Sequence, residues 1–196
     1  MGYGHTWNNN FRWDSNFTLS HNKNKIKELV RDYVHPETGE LINKDRLDVG
    51  GLGKARFILK EGGTLGDLYT QSDLKRDDNG MVDIDPTGIV AIENNLPDIK
   101  LGSVFPKANL AWSNHFSWKG ISLSALFTAR IGGIVYSATE AAMDQYGVSE
   151  RSALARDNGG VLVNNRTLVD AQNYYTTIGS ESGLPQYYTY NATNVP

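Results

Sequence analysis

Five oxygen-bearing side chains crowd the short stretch holding Asp77, Asp78, Asn79, Asp83 and Asp85. Carboxylates at that density could feed a calcium loop. The helix-flanked version needs oxygens at alternate positions and a distal Glu. The spacing here fails and no helical pattern flanks it. Asp77-Asp78-Asn79-Gly80 therefore reads as a hairpin turn, with a metal as the lesser alternative. The histidines, His5, His21, His35 and His115, stand far apart with no His-x-x-His pair. His115 falls on the polar face of a strand, where a ligand or catalytic role is again the lesser reading. Glu61-Gly62-Gly63-Thr64 and Ile131-Gly132-Gly133 lack the phosphate-cradling patterns. The chain has no Cys, which removes disulfides, thiolate metal sites and Cys nucleophiles. No two carboxylates stand out as a glycosidase couple. The Asn-x-Thr sequons at Asn16, Asn165 and Asn191 carry no signal, because Asn is frequent throughout. With no catalytic constellation, the expectation is a protein that is not an enzyme and needs no cofactor.

One aromatic cluster is the best candidate for binding. Tyr174, Tyr175, Tyr187, Tyr188 and Tyr190 crowd the C-terminal stretch. They could stack on sugar rings, or anchor loops at a barrel rim and fill a loop core, since aromatic side chains serve both uses.

What positions these residues is a β framework. The chain has 196 residues and a formal charge of −3, a weak acidity that gives no reason to expect nucleic acid. Gly numbers 20 and Pro only 6, which suits a turn-rich β protein. Met1 to His5 lacks the charged and apolar regions of a signal peptide. No apolar run reaches the roughly 18 residues of a spanning helix, but a spanning β-strand needs only about 9–11 residues of alternating polarity. Residues 11–20 alternate in this way: Phe11, Trp13, Phe17 and Leu19 share one face, and Arg12, Asp14, Asn16, Thr18 and Ser20 the other. A strand near residues 2–7 precedes it across an Asn8-Asn9-Asn10 turn. Residues 108–118 alternate too, with Leu110, Trp112, Phe116 and Trp118 on the apolar side. After Lys119-Gly120 the phase flips, and Ile121, Leu123, Ala125 and Phe127 become the apolar set. A two-residue hairpin pairs its flanking residues on one face, so the flip predicts an antiparallel hairpin with Trp118 opposite Ile121.

Two long excursions, 22–107 and 131–196, exceed ordinary loop lengths and are expected to be structured. The first opens on Lys23, Lys25 and Lys27 and holds short β-like runs at 56–59, 66–69 and 88–92. In the second, Ser137-x-x-Glu140 forms a capping-box pattern and Ser149 caps a further segment, which predicts one or two short helices. The Tyr-rich tail shows no strong period. The polar face of the 108–130 hairpin carries Ser113, His115, Ser117, Ser122, Ser124 and Thr128, with only Arg130 permanently charged. A soluble sandwich would normally set Lys and Glu there, whereas a polar barrel interior suits small neutral groups. The alternative is a soluble secreted β-sandwich glycan-binding module with a charge-poor strand.

Several segments together resemble the SusC/RagA-type TonB-dependent (TonB-linked) outer-membrane receptors. Phe17-Thr-Leu-Ser-His-Asn-Lys-Asn-Lys-Ile26 is similar to a strand-and-exit segment of that family. Glu61-Gly-Gly-Thr-Leu-Gly-Asp-Leu-Tyr69 resembles its Glu-Gly-Gly-rich segment, and Phe105-Pro-Lys-Ala-Asn-Leu-Ala-Trp-Ser-Asn-His-Phe-Ser-Trp118 its Asn-Pro-Lys-led strand. Ile131-Gly-Gly-Ile-Val-Tyr-Ser137, Asp144-Gln-Tyr-Gly-Val-Ser149 and Ala155-Arg-Asp-Asn-Gly-Gly-Val161 follow in the family's order. The resemblance runs from about Phe11 to Val195. It implies a mainly β fold, in which antiparallel strands form part of a transmembrane β-barrel with long structured extracellular loops. It also implies location in the outer membrane, contact with its lipid, and import of an oligosaccharide or peptide. The implied partners are a SusD-like surface lipoprotein and the TonB complex. The family's plug domain and signal peptide have no counterpart in residues 1–196, so a fragment of a longer receptor is expected. The Tyr cluster is then the candidate for contact with substrate or lipoprotein.

Overall fold

A computed structural model describes residues 1–7 and 10–192. Asn8 and Asn9 of the expected turn, and Val195 at the end of the resemblance, lie outside the described residues. Strand outweighs helix, 47% against 16%, and the sheets are antiparallel, so the protein is mainly β. Eight strands build two four-stranded sheets: β1 (Gly2–Thr6), β2 (Phe11–Ser20), β3 (Arg46–Leu52), β4 (Ala55–Lys60), β5 (Asp67–Thr70), β6 (Ile99–Ser103), β7 (Ala108–Trp118) and β8 (Ile121–Ile131). The chain divides into two compact units. The first holds Met1–Asn24, Phe105–Ile134 and the chain from Asn191. The second holds Lys25–Val104 and Val135–Tyr190.

The first unit is one sheet in the order β1-β2-β7-β8. Its hairpin follows the predicted register, with Trp118 paired to Ile121 and the ladder continuing to Ala108 opposite Ile131. Lys119 and Gly120 both take positive φ, 47° and 88°, the backbone that a tight primed hairpin turn requires. β2 pairs with β7 from Phe11 opposite Trp118 to Ser20 opposite Asn109. The chain leaves the sheet after Ser20 and after Ile131 and re-enters at Ala108, all at the end opposite the Lys119-Gly120 turn. The sheet does not close on itself: β1 and β8 are its outer strands.

The second unit gathers both excursions into one fold. Its core joins Leu74 and Val90 from the first excursion to Ala141, Val163, Val169, Ile178, Leu184 and Tyr188 from the second. Its sheet runs β6-β5-β4-β3. Three α-helices follow, one more than the upper expectation: α1 (Ala138–Gln145), α2 (Glu150–Asp157) and α3 (Ala171–Gly179). Ser137 and Ser149 cap the first two as their spacing predicts, each accepting a backbone N–H three residues on. The capping box is half formed: the Ser137 N–H donates to the Tyr188 carbonyl, and Glu140 pairs with Arg151 at 3.4 Å. α3 is the element the tail's weak period concealed. Asp170 caps it by accepting from the Asn173 N–H at 2.9 Å. It ends at Gly179, where a Cβ would lie 2.5 Å from the Ala141 carbonyl oxygen. Glycine there lets α3 meet the α1 backbone.

Candidate functional site

The register of the first unit sorts its side chains onto two faces. On one, the ladder aligns Phe11, Trp13, Phe17 and Leu19 with Leu110, Trp112, Phe116 and Trp118, then with Ile121, Leu123, Phe127 and Ala129. This face is solvent-exposed: Trp112 keeps 45% of its surface, Phe127 59% and Leu123 63%. Every buried hydrophobic residue of the described chain belongs to the second unit. In the first unit the sole described residue in the buried class is Asn114, at 5% exposure. A monomeric water-soluble protein rarely leaves so large an apolar patch uncovered. Toward the Lys119-Gly120 end the rings join into a band, with Trp7–Phe11 centroids 5.2 Å apart, Phe11–Phe116 6.4 Å and Trp13–Phe116 6.1 Å. Lys119 Nζ lies 5.1 Å from the centroid of Trp118 beside the turn.

The opposite face is polar and bounds an open depression lined in part by Gly2, Gly4, Asp14, Asn16, Ser113 and His115. Asp14 accepts two hydrogen bonds from Arg12, at 2.7 and 3.0 Å, so these charges neutralise each other. Asp14 pairs across the ladder with His115 and His115 with Ser124, and His115 Nδ1 lies 2.9 Å from Ser124 Oγ. The row brings carboxylate, imidazole and hydroxyl together. It sits inside a regular ladder with strands on both sides of β7, whose N–H groups are committed to neighbouring strands. What the face can do is hydrogen-bond a passing polar surface.

The tyrosines do not act as one group. Tyr188 is fully buried, and its hydroxyl donates to Asp144 Oδ2 at 2.8 Å. It is a core residue, which corrects its assignment as a contact residue: a ring enclosed on every side has no face to offer. Burial pushes its hydroxyl pKa far up, and the neighbouring Asp144 carboxylate adds to the rise. Tyr174, Tyr175 and Tyr187 pack around the same core but stay partly exposed. Tyr174 and Tyr175 meet edge to face at 5.4 Å. Burial lifts Tyr174 to about 12. Tyr190 is also half-buried and is likewise pushed up to about 12, first by burial and then by Glu140.

Buried carboxylates, invisible as a set in the sequence, hold the second unit together. Asp144 is fully buried; it accepts from Arg151 Nε at 2.8 Å, from Ser149 Oγ and from a second Arg151 nitrogen. Arg151 also lies over the Tyr188 ring, 4.8 Å from its centroid. Asp67 accepts from the Thr64 N–H at 2.9 Å, from Thr64 Oγ1 at 2.6 Å and from Lys100 Nζ at 2.5 Å. Burial pushes Asp67 up, but these donors outweigh it and hold the carboxyl below its usual range. Asp98 chelates Arg46 at 2.8 and 3.0 Å and also meets Lys60 at 2.6 Å. The Arg46 hydrogen bonds keep it well below the carboxylate range; burial opposes them and Lys60 adds to them. The Gly-Gly-Thr-x-Gly-Asp and Asp-Gln-Tyr-Gly-Val-Ser segments are therefore structural: each is folded about its own Asp.

The acidic stretch at 77–85 resolves into two turns of one design. Asp77 Oδ1 accepts the N–H groups of Asn79 and Met81, and Asp85 Oδ1 those of Thr87 and Ile89. The spacing Asp-x-x-Gly at 77–80 and again at 85–88 is the sequence signal for this pair. Among the described residues no group of three or more His, Asp or Glu converges as a metal site. The histidines find separate local partners. His5 packs edge-on to Trp7 at 4.4 Å, His21 Nδ1 meets the Lys107 carbonyl oxygen at 2.5 Å, and His35 Nδ1 accepts from the N–H groups of Glu37 and Thr38. No protein-family model matches the chain, and no curated protein matches it.

Proposed function

We propose that the first unit is a section of wall from an outer-membrane β-barrel. Its apolar face meets lipid, and its polar face looks into the lumen. The second unit is then the structured extracellular part. Together with the resemblance to SusC/RagA-type TonB-dependent receptors, this makes the chain part of a nutrient importer for oligosaccharides or peptides. A SusD-like lipoprotein and the TonB complex are its partners in that reading. The observation that carries it is the uncovered aromatic face of a sheet with no core of its own. Strand length supports it too. Eleven residues in each of β7 and β8, tilted as in known barrels, rise about 28 Å, close to the ~25 Å apolar band such walls present. Connection lengths agree in direction: barrels place tight turns on the periplasmic side and long loops outside. Within the second unit, Tyr174, Tyr175, Tyr187 and Tyr190 remain the recognition candidates, and Tyr188 does not.

Arginine substitution in the full-length receptor tests the orientation. Leu110→Arg or Leu123→Arg should impair assembly by about 2–4 kcal/mol if near the bilayer midplane, and Ser113→Arg should be milder. The readout is the yield of assembled protein in outer-membrane preparations. Equal yields for both sets would point instead to a soluble sandwich, in which the apolar face packs on a second sheet.

A further inference from the structure

The two central strands of the wall carry the same five-residue pattern, Trp-x-(Ser/Asn)-x-Phe. It reads Trp13-Asp14-Ser15-Asn16-Phe17 in β2 and Trp112-Ser113-Asn114-His115-Phe116 in β7. Antiparallel pairing sets Trp13 opposite Phe116, Ser15 opposite Asn114 and Phe17 opposite Trp112. The arrangement is therefore two-fold symmetric about the Ser15–Asn114 pair. Each indole reaches across to the polar residue of the other strand: Trp13 Nε1 donates to Asn114 Oδ1 at 3.1 Å, and Trp112 Nε1 donates to Ser15 Oγ at 2.9 Å. Ser15 and Asn114 are the two breaks in the apolar alternation of their strands, and each is the acceptor of an indole proton.

The direction of those bonds is informative. Ser15 and Asn114 occupy one row near the middle of β7, and Trp13 and Trp112 flank that row on either side. Both N–H groups thus point inward along the strands, away from both ends of the sheet. A tryptophan at a membrane interface does the reverse: its ring lies among the chains while its N–H reaches headgroups or water. Acyl chains offer no acceptor, so an indole set among them needs one from the protein.

We infer that Trp13 and Trp112 lie within the hydrocarbon layer rather than at its edge, and that Ser15 and Asn114 are there to take their indole protons. The occupant of this part of the face is then the acyl chain of the lipid. The inference rests on the wall reading proposed above and adds the depth of two named side chains. The same crossed bonds pin β2 against β7. No tight turn sets that register, because the bonded residues are 101 and 97 positions apart.

Depth-resolved fluorescence quenching tests this. The full-length receptor is inserted into phosphatidylcholine vesicles brominated either beside the headgroup or deep in the acyl chain. The emission of each tryptophan is taken as the difference between the parent and its Trp→Phe variant. Deep bromine should quench Trp13 and Trp112 about twofold more strongly than shallow bromine, with the order reversed for Trp118 beside the turn. Trp13 and Trp112 quenched best by shallow bromine, together with Trp118, would overturn the inference and leave the wall reading standing. No quenching at any of the three would defeat the wall reading itself, and the inference with it. A second measurement stands independently of depth. Ser15→Ala and Asn114→Leu should each lower the urea midpoint of the assembled barrel, and an unchanged midpoint in both would overturn the role given to the two acceptors.

Discussion

The two units solve opposite problems. The second buries its apolar side chains around Tyr188, Leu184 and Val90 and threads the fold with carboxylates that bind Arg, Lys, Ser and Thr. The first has twelve apolar positions in register on one face and no buried hydrophobic residue. A sheet with no core cannot be stable in water on its own face alone, because burial of apolar area is the main driving force for folding. The second unit encloses its apolar side chains, and the first presents its own on one open face. Polar groups are placed to match. In the second unit they are buried as ion pairs that tie elements together. In the first they either form the opposite face or, at Ser15 and Asn114, serve tryptophans on the apolar one.

That contrast can be broken from either side. A large effect is expected at Asp144. Asp144→Ala takes from Arg151 its buried partner, leaving it Glu140 at 3.4 Å and two aromatic rings, and removes the acceptor of the Tyr188 and Ser149 hydroxyls. It should destabilise the second unit by about 3 kcal/mol, as removal of one partner of a buried pair does. Urea-dependent proteolysis of the second unit measures this, and the assembly yield of the first should hold. Loss of both would merge what is here treated as two separately stabilised units. The arginine substitutions at Leu110 and Leu123 are the matching attack on the first unit, with an expected cost of comparable size.

Acid should separate the units more gently. Asp98, Asp67 and Asp48 all titrate below their usual range in the folded protein, and so do Asp77 and Asp85 in their turns. A carboxylate with a depressed folded value contributes stability above its unfolded value of about 4 and loses it as pH falls through the folded one. The second unit should therefore loosen progressively below about pH 4. Proteolysis or hydrogen exchange followed from neutral pH downward would register it. A second unit equally protected at about pH 2 and at neutrality would show that these pairs contribute nothing.

The wall hairpin was legible in the sequence because alternation and turn chemistry are both local. Residues 108–118, the flip at Lys119-Gly120 and the Trp118–Ile121 pair follow from period and turn alone. The caps at Ser137 and Ser149 were legible for the same reason. The α3 helix was not. Its Tyr174-Tyr175-Thr176-Thr177 run favours strands, and the helix is held by packing of Gly179 on α1 and of Ile178 in the core. The roles of Tyr188, Asp67, Asp98 and Asp144 were hidden because each depends on a partner or packing neighbour from another element, brought close only by the fold. The tyrosine cluster was visible as composition, but which ring is enclosed and which is open is a tertiary property. Ser15 and Asn114 looked like lapses in two apolar stripes until the β2–β7 register placed each beside an indole.

The central claim is that one face of the wall meets lipid and the other meets water. Residues 1–196 contain no cysteine, so a probe at Leu123 or Ser124 is the one thiol of this segment. In intact outer membranes, labelling by a water-soluble, membrane-impermeant maleimide is compared between Leu123→Cys and Ser124→Cys, each against the parent receptor. The account predicts rapid labelling at position 124, which faces the lumen, and protection at 123 until the membrane is dissolved in denaturant. Equal labelling at both positions in the intact membrane would contradict it.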